Sequence, residues 1–257
     1  MRQKFGQNFL IDKNIAGKIV DAASVSDKES VLEIGPGRGI LTEIIAPLAK
    51  DFIAVELDKK LSENLTKRFS RFKNLEIINH DFLKYSIPEN KNFTIIANLP
   101  YYVSTAILHK FLPGPNWKKA VIMVQKEVGQ RITADPGSKA YGAFSVYCRY
   151  FADIELLFYV NPKSFYPVPK VDSCVLLFSN KYPPSPDKDL FNVVNLSFQQ
   201  RRKTIINSLS GAMKSPKSQF IEVFRKANID PALRPENLTI DNFLDLTLAL
   251  RYCRILS

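Results

Sequence analysis

Ser30-Val31-Leu32-Glu33-Ile34-Gly35-Pro36-Gly37-Arg38-Gly39 is the stretch from which the rest of the chain is read. A short apolar run passes straight into three glycines, and a helix follows from Ile40-Leu41-Thr42 to about Ala49. Glycine lets a backbone come close to a ligand, and a helix start leaves N–H groups unpaired. The loop departs from the dinucleotide fingerprint, because its third glycine comes too early and Pro36 intervenes. Alone it is weak evidence. The next apolar run, Phe52-Ile53-Ala54-Val55-Glu56-Leu57-Asp58, brings an acid about twenty residues past the first glycine. A carboxylate at that distance can hold both ribose hydroxyls of a nucleoside. This spacing suits S-adenosylmethionine better than NAD.

Two further strands lie outward from this pair. Leu75-Glu76-Ile77-Ile78-Asn79 ends in His80-Asp81-Phe82. Asp81 can accept the amine of a bound adenine and Phe82 can pack on its ring; a helix or turn cap is the competing reading of Asp81. Phe93-Thr94-Ile95-Ile96-Ala97 ends in Asn98-Leu99-Pro100-Tyr101-Tyr102, where Pro forces the chain out of the strand. Asn offers an acceptor and a donor, and Tyr a flat face. An ordinary Asn-Pro turn is the alternative. Ligands of open α/β sheets bind at the carboxyl ends of strands. Gly35, Glu56, Asp81 and Asn98 all fall at such ends, and four in register are harder to ascribe to chance than any one.

The chain has 257 residues, enough for one large domain or two smaller ones. It is 46% hydrophobic and 24% charged, as in soluble globular proteins. No apolar run is long enough to span a membrane, and the first residues lack the apolar core of a signal peptide, so a cytoplasmic location is expected. Cys148, Cys174 and Cys253 are too few and too scattered for a disulfide framework, and with His80 and His109 they make no metal-spaced cluster. No metal is expected. The net charge of +11 is uneven: residues 1–109 carry +2 and residues 110–257 carry +9. A polyanionic partner follows, nucleic acid ahead of a membrane surface.

Asp12 is placed to cap a first helix, so that Gln7, Asn8 and Phe9 form a lead-in able to fold over a ligand. Beyond Asn98 the pattern predicts helices over 104–112, 126–132 and 143–151, a strand over 119–124, and a closing strand pair over 154–160 and 173–178. Tyr182-Pro183-Pro184-Ser185-Pro186 marks the best boundary. It divides a Rossmann-like domain (1–182) from a small all-helical C-terminal domain (187–257). Helices are expected near 187–198, 201–209, 218–227 and 239–251. Arg201-Arg202-Lys203 is the densest basic cluster, and at helical pitch three consecutive residues cannot all face one phosphate backbone.

The chain resembles the S-adenosylmethionine-dependent ribosomal RNA adenine dimethyltransferases, which dimethylate two adjacent adenines near the end of small-subunit rRNA. The resemblance rests on Gln7-Asn8-Phe9-Leu10, Glu33-Ile34-Gly35-Pro36-Gly37-Arg38-Gly39-Ile40-Leu41-Thr42, Asn98-Leu99-Pro100-Tyr101-Tyr102 and Gln125-Lys126-Glu127-Val128. To these it adds Pro136–Gly142, Phe165-Tyr166-Pro167-Val168-Pro169-Lys170-Val171-Asp172-Ser173 and Phe198-Gln199-Gln200-Arg201-Arg202-Lys203-Thr204. His80 stands where the family usually has Gly, and Arg38 fills a variable loop position.

The resemblance implies an α/β fold, a Rossmann-like methyltransferase sheet followed by a helical RNA-binding domain. It implies that Asn8, Leu10, Gly35, Gly37, Glu56, Leu57, Asp81, Phe82 and Asn98 bind S-adenosylmethionine. It assigns Asn98, Leu99, Pro100, Tyr101 and Phe165 to the catalytic pocket for the target base, and Arg201, Arg202, Lys203 and Lys139 to RNA. Phe165 is expected to stack on the flipped base, with a core aromatic as the alternative. On that expectation, Phe165→Ala and Asn98→Ala keep the fold and lose methylation. The implied partners are small-subunit rRNA and the immature small subunit, met by a monomer. Three other readings stay open: the large-subunit methyltransferases of the antibiotic-resistance class, a nicotinamide oxidoreductase, and a non-catalytic RNA-binding assembly factor.

Overall fold

A computed structural model describes residues 8–182 and 187–256. Gln7 of the lead-in and Pro183–Pro186 of the expected boundary lie outside the described residues. The chain divides into two compact units, one running up to Gly129 and resuming over Ala152–Tyr182, the other taking Gln130–Phe151 and the chain after Tyr182. A single break at 182, as read from the sequence, leaves 130–151 with the wrong neighbours.

The strands are β1 (Phe9–Leu10), β2 (Ser30–Ile34), β3 (Asp51–Glu56), β4 (Leu75–Asn79), β5 (Phe93–Asn98), β6 (Trp117–Gln125), β7 (Ala152–Val160), β8 (Phe165–Tyr166) and β9 (Ser173–Asn180). Seven of them form one sheet in the order β4-β3-β2-β5-β6-β9-β7. The first five in that order pair in parallel, and β9 runs antiparallel between β6 and β7. Val31, Leu32, Phe52, Ala54, Ile95 and Ile96 are buried on both faces, which is why the central strands read as unbroken apolar runs. The chain leaves β2 toward β3 and β4 on one side, then returns to β5 and β6 on the other. This reversal opens a crevice at the carboxyl ends of β2 and β5.

Helices α1 (Lys13–Ala23), α2 (Ile40–Ile45), α3 (Lys59–Arg68), α4 (Ser104–Phe111) and α5 (Lys126–Ile132) connect these strands. Asp12 caps α1, accepting from the N–H groups of Asn14 at 3.0 Å and Ile15 at 3.2 Å. The lead-in is a strand rather than a loop: β1 pairs antiparallel with β8, matching Phe9 to Tyr166 and Leu10 to Phe165. The Ser164 hydroxyl donates to Asp12 at 3.2 Å and fixes the same corner. Residues of α1, the glycine-loop helix α2 and the sheet, with Leu10 and Phe165, share one buried cluster.

The second unit is helical, with α6 (Ala143–Phe151), α7 (Lys188–Phe198), α8 (Ile205–Met213), α9 (Ile221–Ala227) and α10 (Ile240–Tyr252). Aromatics explain why 130–151 joins it. Tyr147, Tyr150 and Phe151 of α6 surround Phe191 of α7 with ring centroids 5.0–5.7 Å apart. The Tyr141 hydroxyl donates to the Leu238 carbonyl at 2.9 Å. Arg201-Arg202-Lys203 does not lie on a helix, contrary to the sequence expectation; it forms a turn before α8. The helical-pitch argument therefore does not apply to these three residues.

Gly39 begins α2 with φ +79°, and a Cβ there would sit 2.6 Å from Leu65 Cδ2 and 2.8 Å from Phe69 Cε2. Both neighbours are buried, so neither can give way freely. Gly39→Ala is expected to cost about 1–3 kcal/mol through overpacking alone, read as a lower urea midpoint with an unchanged slope.

Candidate active site

Gly35, Glu56, Asp81 and Asn98 line one cavity of about 330 Å³. They reach it by the same route, each standing at or just past the carboxyl end of a parallel strand. Asn8, Leu10, Gly37, Leu57, Phe82, Leu99, Pro100 and Tyr101 line it as well. All the residues that the sequence assigned to cofactor binding are thus brought to one space, together with four of the five assigned to the target base.

The glycine loop and Glu56 hold each other. One carboxylate oxygen of Glu56 accepts from the Gly37 N–H at 2.9 Å and the other from the Asp58 N–H at 2.9 Å. The Gly35 N–H donates to the Val55 carbonyl at 2.9 Å, closing the loop onto β3. Burial pushes the Glu56 carboxyl up, and the Asp58 and Gly37 N–H groups pull it back. Gly37 has φ +59°, and its Cβ would press on the Phe9 ring at 3.2 Å. The lead-in therefore lies directly over the loop. Phe9 also carries Arg38, whose guanidinium carbon is 4.5 Å from its ring centroid.

Asp81 does both things considered for it. Oδ1 accepts from the Leu83 N–H at 3.0 Å and caps the short turn Phe82–Lys84, while the residue lines the cavity. Asn98 is half-buried at the end of β5. Its side chain takes no hydrogen bond from a described residue. The Leu99 N–H donates to the Met123 carbonyl at 3.0 Å, which anchors the turn, and the Leu99 carbonyl receives no bond from a described residue. Tyr101 is held by a 2.9 Å hydrogen bond between its hydroxyl and Ser173 Oγ. Burial raises the Tyr101 phenol above its ordinary range, so it stays protonated.

Phe165 is the exception and a correction. It is 1% exposed, belongs to the core cluster and does not line the cavity. Strand alternation in β8 turns Phe165 inward against Leu10 and leaves its neighbour Tyr166 59% exposed. The Pro-rich segment reaches the site through Ser173, which holds Tyr101. The aromatic side chains that line the cavity are Phe9, Phe82, Tyr101 and Tyr102, the last 64% exposed.

The basic cluster splits in a way that no sequence pattern displays. The Arg201 guanidinium donates to the carbonyls of Lys139 at 3.0 Å and Tyr141 at 2.9 Å and lies 3.6 Å from Glu236. It is engaged in holding the turn. Arg202, Lys203 and Lys139 are exposed and make no ion pair among the described residues.

Glu33 lines the cavity and was not singled out by sequence reasoning. It is 1% exposed and accepts the Thr42 hydroxyl at 2.7 Å. Burial pushes its carboxyl up to about 8. An acid inside an otherwise apolar strand was the available signal.

Two outcomes follow from these placements. The raised Glu33 carboxyl favours the folded state while protonated, and that contribution is lost as pH rises from the ordinary carboxylate range through about 8. Glu33→Gln, which fixes the neutral form, is expected to melt higher relative to the parent at pH 8.5 than at pH 6, measured by calorimetry. Phe165→Ala is expected to cost about 3–5 kcal/mol of folding stability in chemical denaturation, as core truncations of this size do. An unshifted unfolding midpoint would return Phe165 to the surface role.

A family model described as "Ribosomal RNA adenine dimethylase" matches residues 1–251. The chain is 42% identical over 254 residues to the ribosomal RNA small subunit methyltransferase A of Alkaliphilus oremlandii, covering 94% of this chain and 88% of that one. It is 43% identical over 253 residues to the protein of the same name from Malacoplasma penetrans, covering 95% and 90%. Among solved structures, a dimethyladenosine transferase from Plasmodium falciparum superposes with a TM-score of 0.87 at 27% identity, over 96% of this chain and 98% of that one. The 23S rRNA methyltransferase ErmE gives 0.75, also at 27% identity, over 95% and 100%. With a match running almost from end to end, the chain belongs to the ribosomal RNA adenine dimethylase family.

Proposed function

We propose that the cavity is where S-adenosylmethionine and an adenine lifted out of small-subunit rRNA meet. The chain is an S-adenosylmethionine-dependent methyltransferase that dimethylates the N6 amine of two adjacent adenines near the 3′ end of that RNA. The observation that carries the reading is a pair of acceptors that receive no bond from a described residue, the Asn98 side chain and the Leu99 carbonyl, on a strand end beside the Glu56-braced glycine loop.

The residues present fit the cofactor. A Cβ at Gly37 would close the loop against Phe9, so the backbone there is kept bare. Glu56 is oriented by two N–H groups before any ribose arrives, and Asp81 keeps Oδ2 without a bond from a described residue. The volume lies in the range of small-molecule sites. Asn8, Leu10, Gly35, Gly37, Glu56, Leu57, Asp81 and Phe82 would hold it. When bound it supplies an electrophilic methyl group on a sulfonium, which leaves without being protonated.

The chain's own task is positioning. The amine of adenine is a poor nucleophile because its lone pair is delocalised into the ring. Asn98 and the Leu99 carbonyl can accept its two N–H groups, which fixes the nitrogen and favours the tetrahedral geometry in which the lone pair is free to attack. Positioning of this kind lowers barriers by up to about 7–11 kcal/mol. Tyr101 offers its ring to the base, held by Ser173. Stacking on one aromatic is worth about 1–3 kcal/mol. After the first transfer the methylated nitrogen releases one proton to solvent and one N–H remains, so one acceptor is vacated and the pocket takes a methyl group in its place.

RNA outside the pocket meets the exposed Arg202, Lys203 and Lys139, while Arg201 serves the turn that presents them. The substrate is the immature small subunit, met by a monomer in the cytoplasm. No helix of the described residues is long and apolar enough to cross a membrane. The large-subunit reading is weaker, because the relatives at 42–43% identity are named for the small subunit.

Asn98→Ala is expected to leave the melting temperature within a few degrees and to reduce methyl transfer by at least about a hundredfold, the scale seen when one transition-state hydrogen bond is removed. The assay is tritiated methyl transfer to immature small subunits and to bare rRNA, followed by mapping of the modified bases. Parent-level turnover by the variant would remove the role of Asn98, and modification of large-subunit RNA alone would overturn the substrate.

A further inference from the structure

Among the described residues lining the cavity, Arg38 is the one lysine or arginine, and Glu33, Glu56 and Asp81 are the acids. The placement of Arg38 is fixed from two directions. Arg68 donates to the Arg38 carbonyl at 3.0 Å, and Phe9 supports the guanidinium face at 4.5 Å. The acid within reach of this brace, Glu43, is already taken by Arg68 at 2.8 Å. No described acid pairs with Arg38 itself. A stacked guanidinium keeps its in-plane donors free, and those donors match a carboxylate in a two-pronged pair. Glu56, whose oxygens accept from the Gly37 and Asp58 N–H groups, makes no ion pair with Arg38.

We propose that Arg38, held on Phe9, receives the carboxylate at the amino-acid end of S-adenosylmethionine and acts as a positioning residue for that end of the cofactor. This rests on the cofactor reading above. Three features favour the small-molecule anion over an RNA phosphate. The cation lines the cavity itself. The loop that carries it is the loop Glu56 ties to the nucleoside-binding strand end. The cofactor brings one carboxylate into a site whose other charged groups are acids, and that anion needs a partner there. The β1–β8 pairing adds a consequence: whatever seats Phe9 also seats the guanidinium, so the lead-in strand sets how firmly the amino-acid end is gripped.

The test separates the amino-acid end from the nucleoside end. S-adenosylhomocysteine carries both, and 5′-methylthioadenosine lacks the amino-acid end. Each is titrated calorimetrically into the full chain, as the parent, Arg38→Leu and Arg38→Lys. Loss of a charge-assisted contact predicts about a ten- to hundredfold weaker Kd for S-adenosylhomocysteine in Arg38→Leu. The Kd for 5′-methylthioadenosine should stay within twofold, and Arg38→Lys should recover part of the loss. Equal weakening of both ligands would show that Arg38 merely shapes the loop and would overturn the inference. Unchanged binding of S-adenosylhomocysteine with a raised KM for RNA would overturn it in favour of a phosphate contact. If the parent bound neither ligand, the cofactor reading itself would fall and the inference with it.

Discussion

The bond between the Glu56 carboxylate and the Gly37 N–H, 2.9 Å long, is the constraint on which the site depends. It spans from the end of β3 to the turn after β2 and ties together two positions that lie 19 residues apart in sequence. With the Asp58 N–H on its other oxygen, the side chain has no freedom left to collapse into the cavity. A carboxylate buried this deeply is costly unless its lone pairs are engaged, so the same two bonds that shape the loop make the burial tolerable. The turn cannot be tightened further, because Phe9 sits against Gly37 where a Cβ would be. Loop, lead-in strand and acid form one interlocked unit, and the open side of that unit is the cavity.

Much of this was legible in the sequence because parallel strands in a doubly wound sheet advertise themselves. A strand buried on both faces must be apolar throughout, so the first polar or glycine residue after it marks its carboxyl end. Gly35, Glu56 and Asn98 carry that mark, Asp81 lies two residues past the half-buried edge strand β4, and all four line one cavity. Phe165 shows where the method stops. Its segment is a two-residue strand, too short for alternation to be visible, and a one-position offset decides whether Phe165 or Tyr166 faces outward. Pro167 and Pro169 disfavour a strand interior, whereas the pairing partner that orders the segment, Phe9–Leu10, lies more than 150 residues away.

Arg201 fails for a different reason. Its partners are the backbone carbonyls of Lys139 and Tyr141, and a carbonyl has no identity in a sequence. The placement of 130–151 with the helical unit was hidden likewise. The Pro-rich boundary after 182 is conspicuous, but the aromatics that draw Tyr147 and Tyr150 around Phe191 are individually unremarkable. Glu33 was passed over because an acid in a strand before a glycine loop reads as part of a motif rather than as a buried charge.

The identity of residue 98 follows from its neighbours. The reaction asks only for acceptors, and aspartate supplies more acceptor capacity than asparagine. At the end of β5, however, the cavity already contains Glu33, Glu56 and Asp81. Burial and the Glu56 charge both push the Glu33 carboxyl up, so this environment already penalises negative charge. A further carboxylate would meet the same penalty and take up a proton, turning an acceptor into a donor aimed at the amine it should hold. An amide cannot change state in this way. Its oxygen accepts at every pH, and the turn that follows, anchored by the Leu99 N–H on Met123, keeps that oxygen and the Leu99 carbonyl together without help from a titrating group. Asparagine at this strand end is thus the acceptor that an acid-rich pocket can keep.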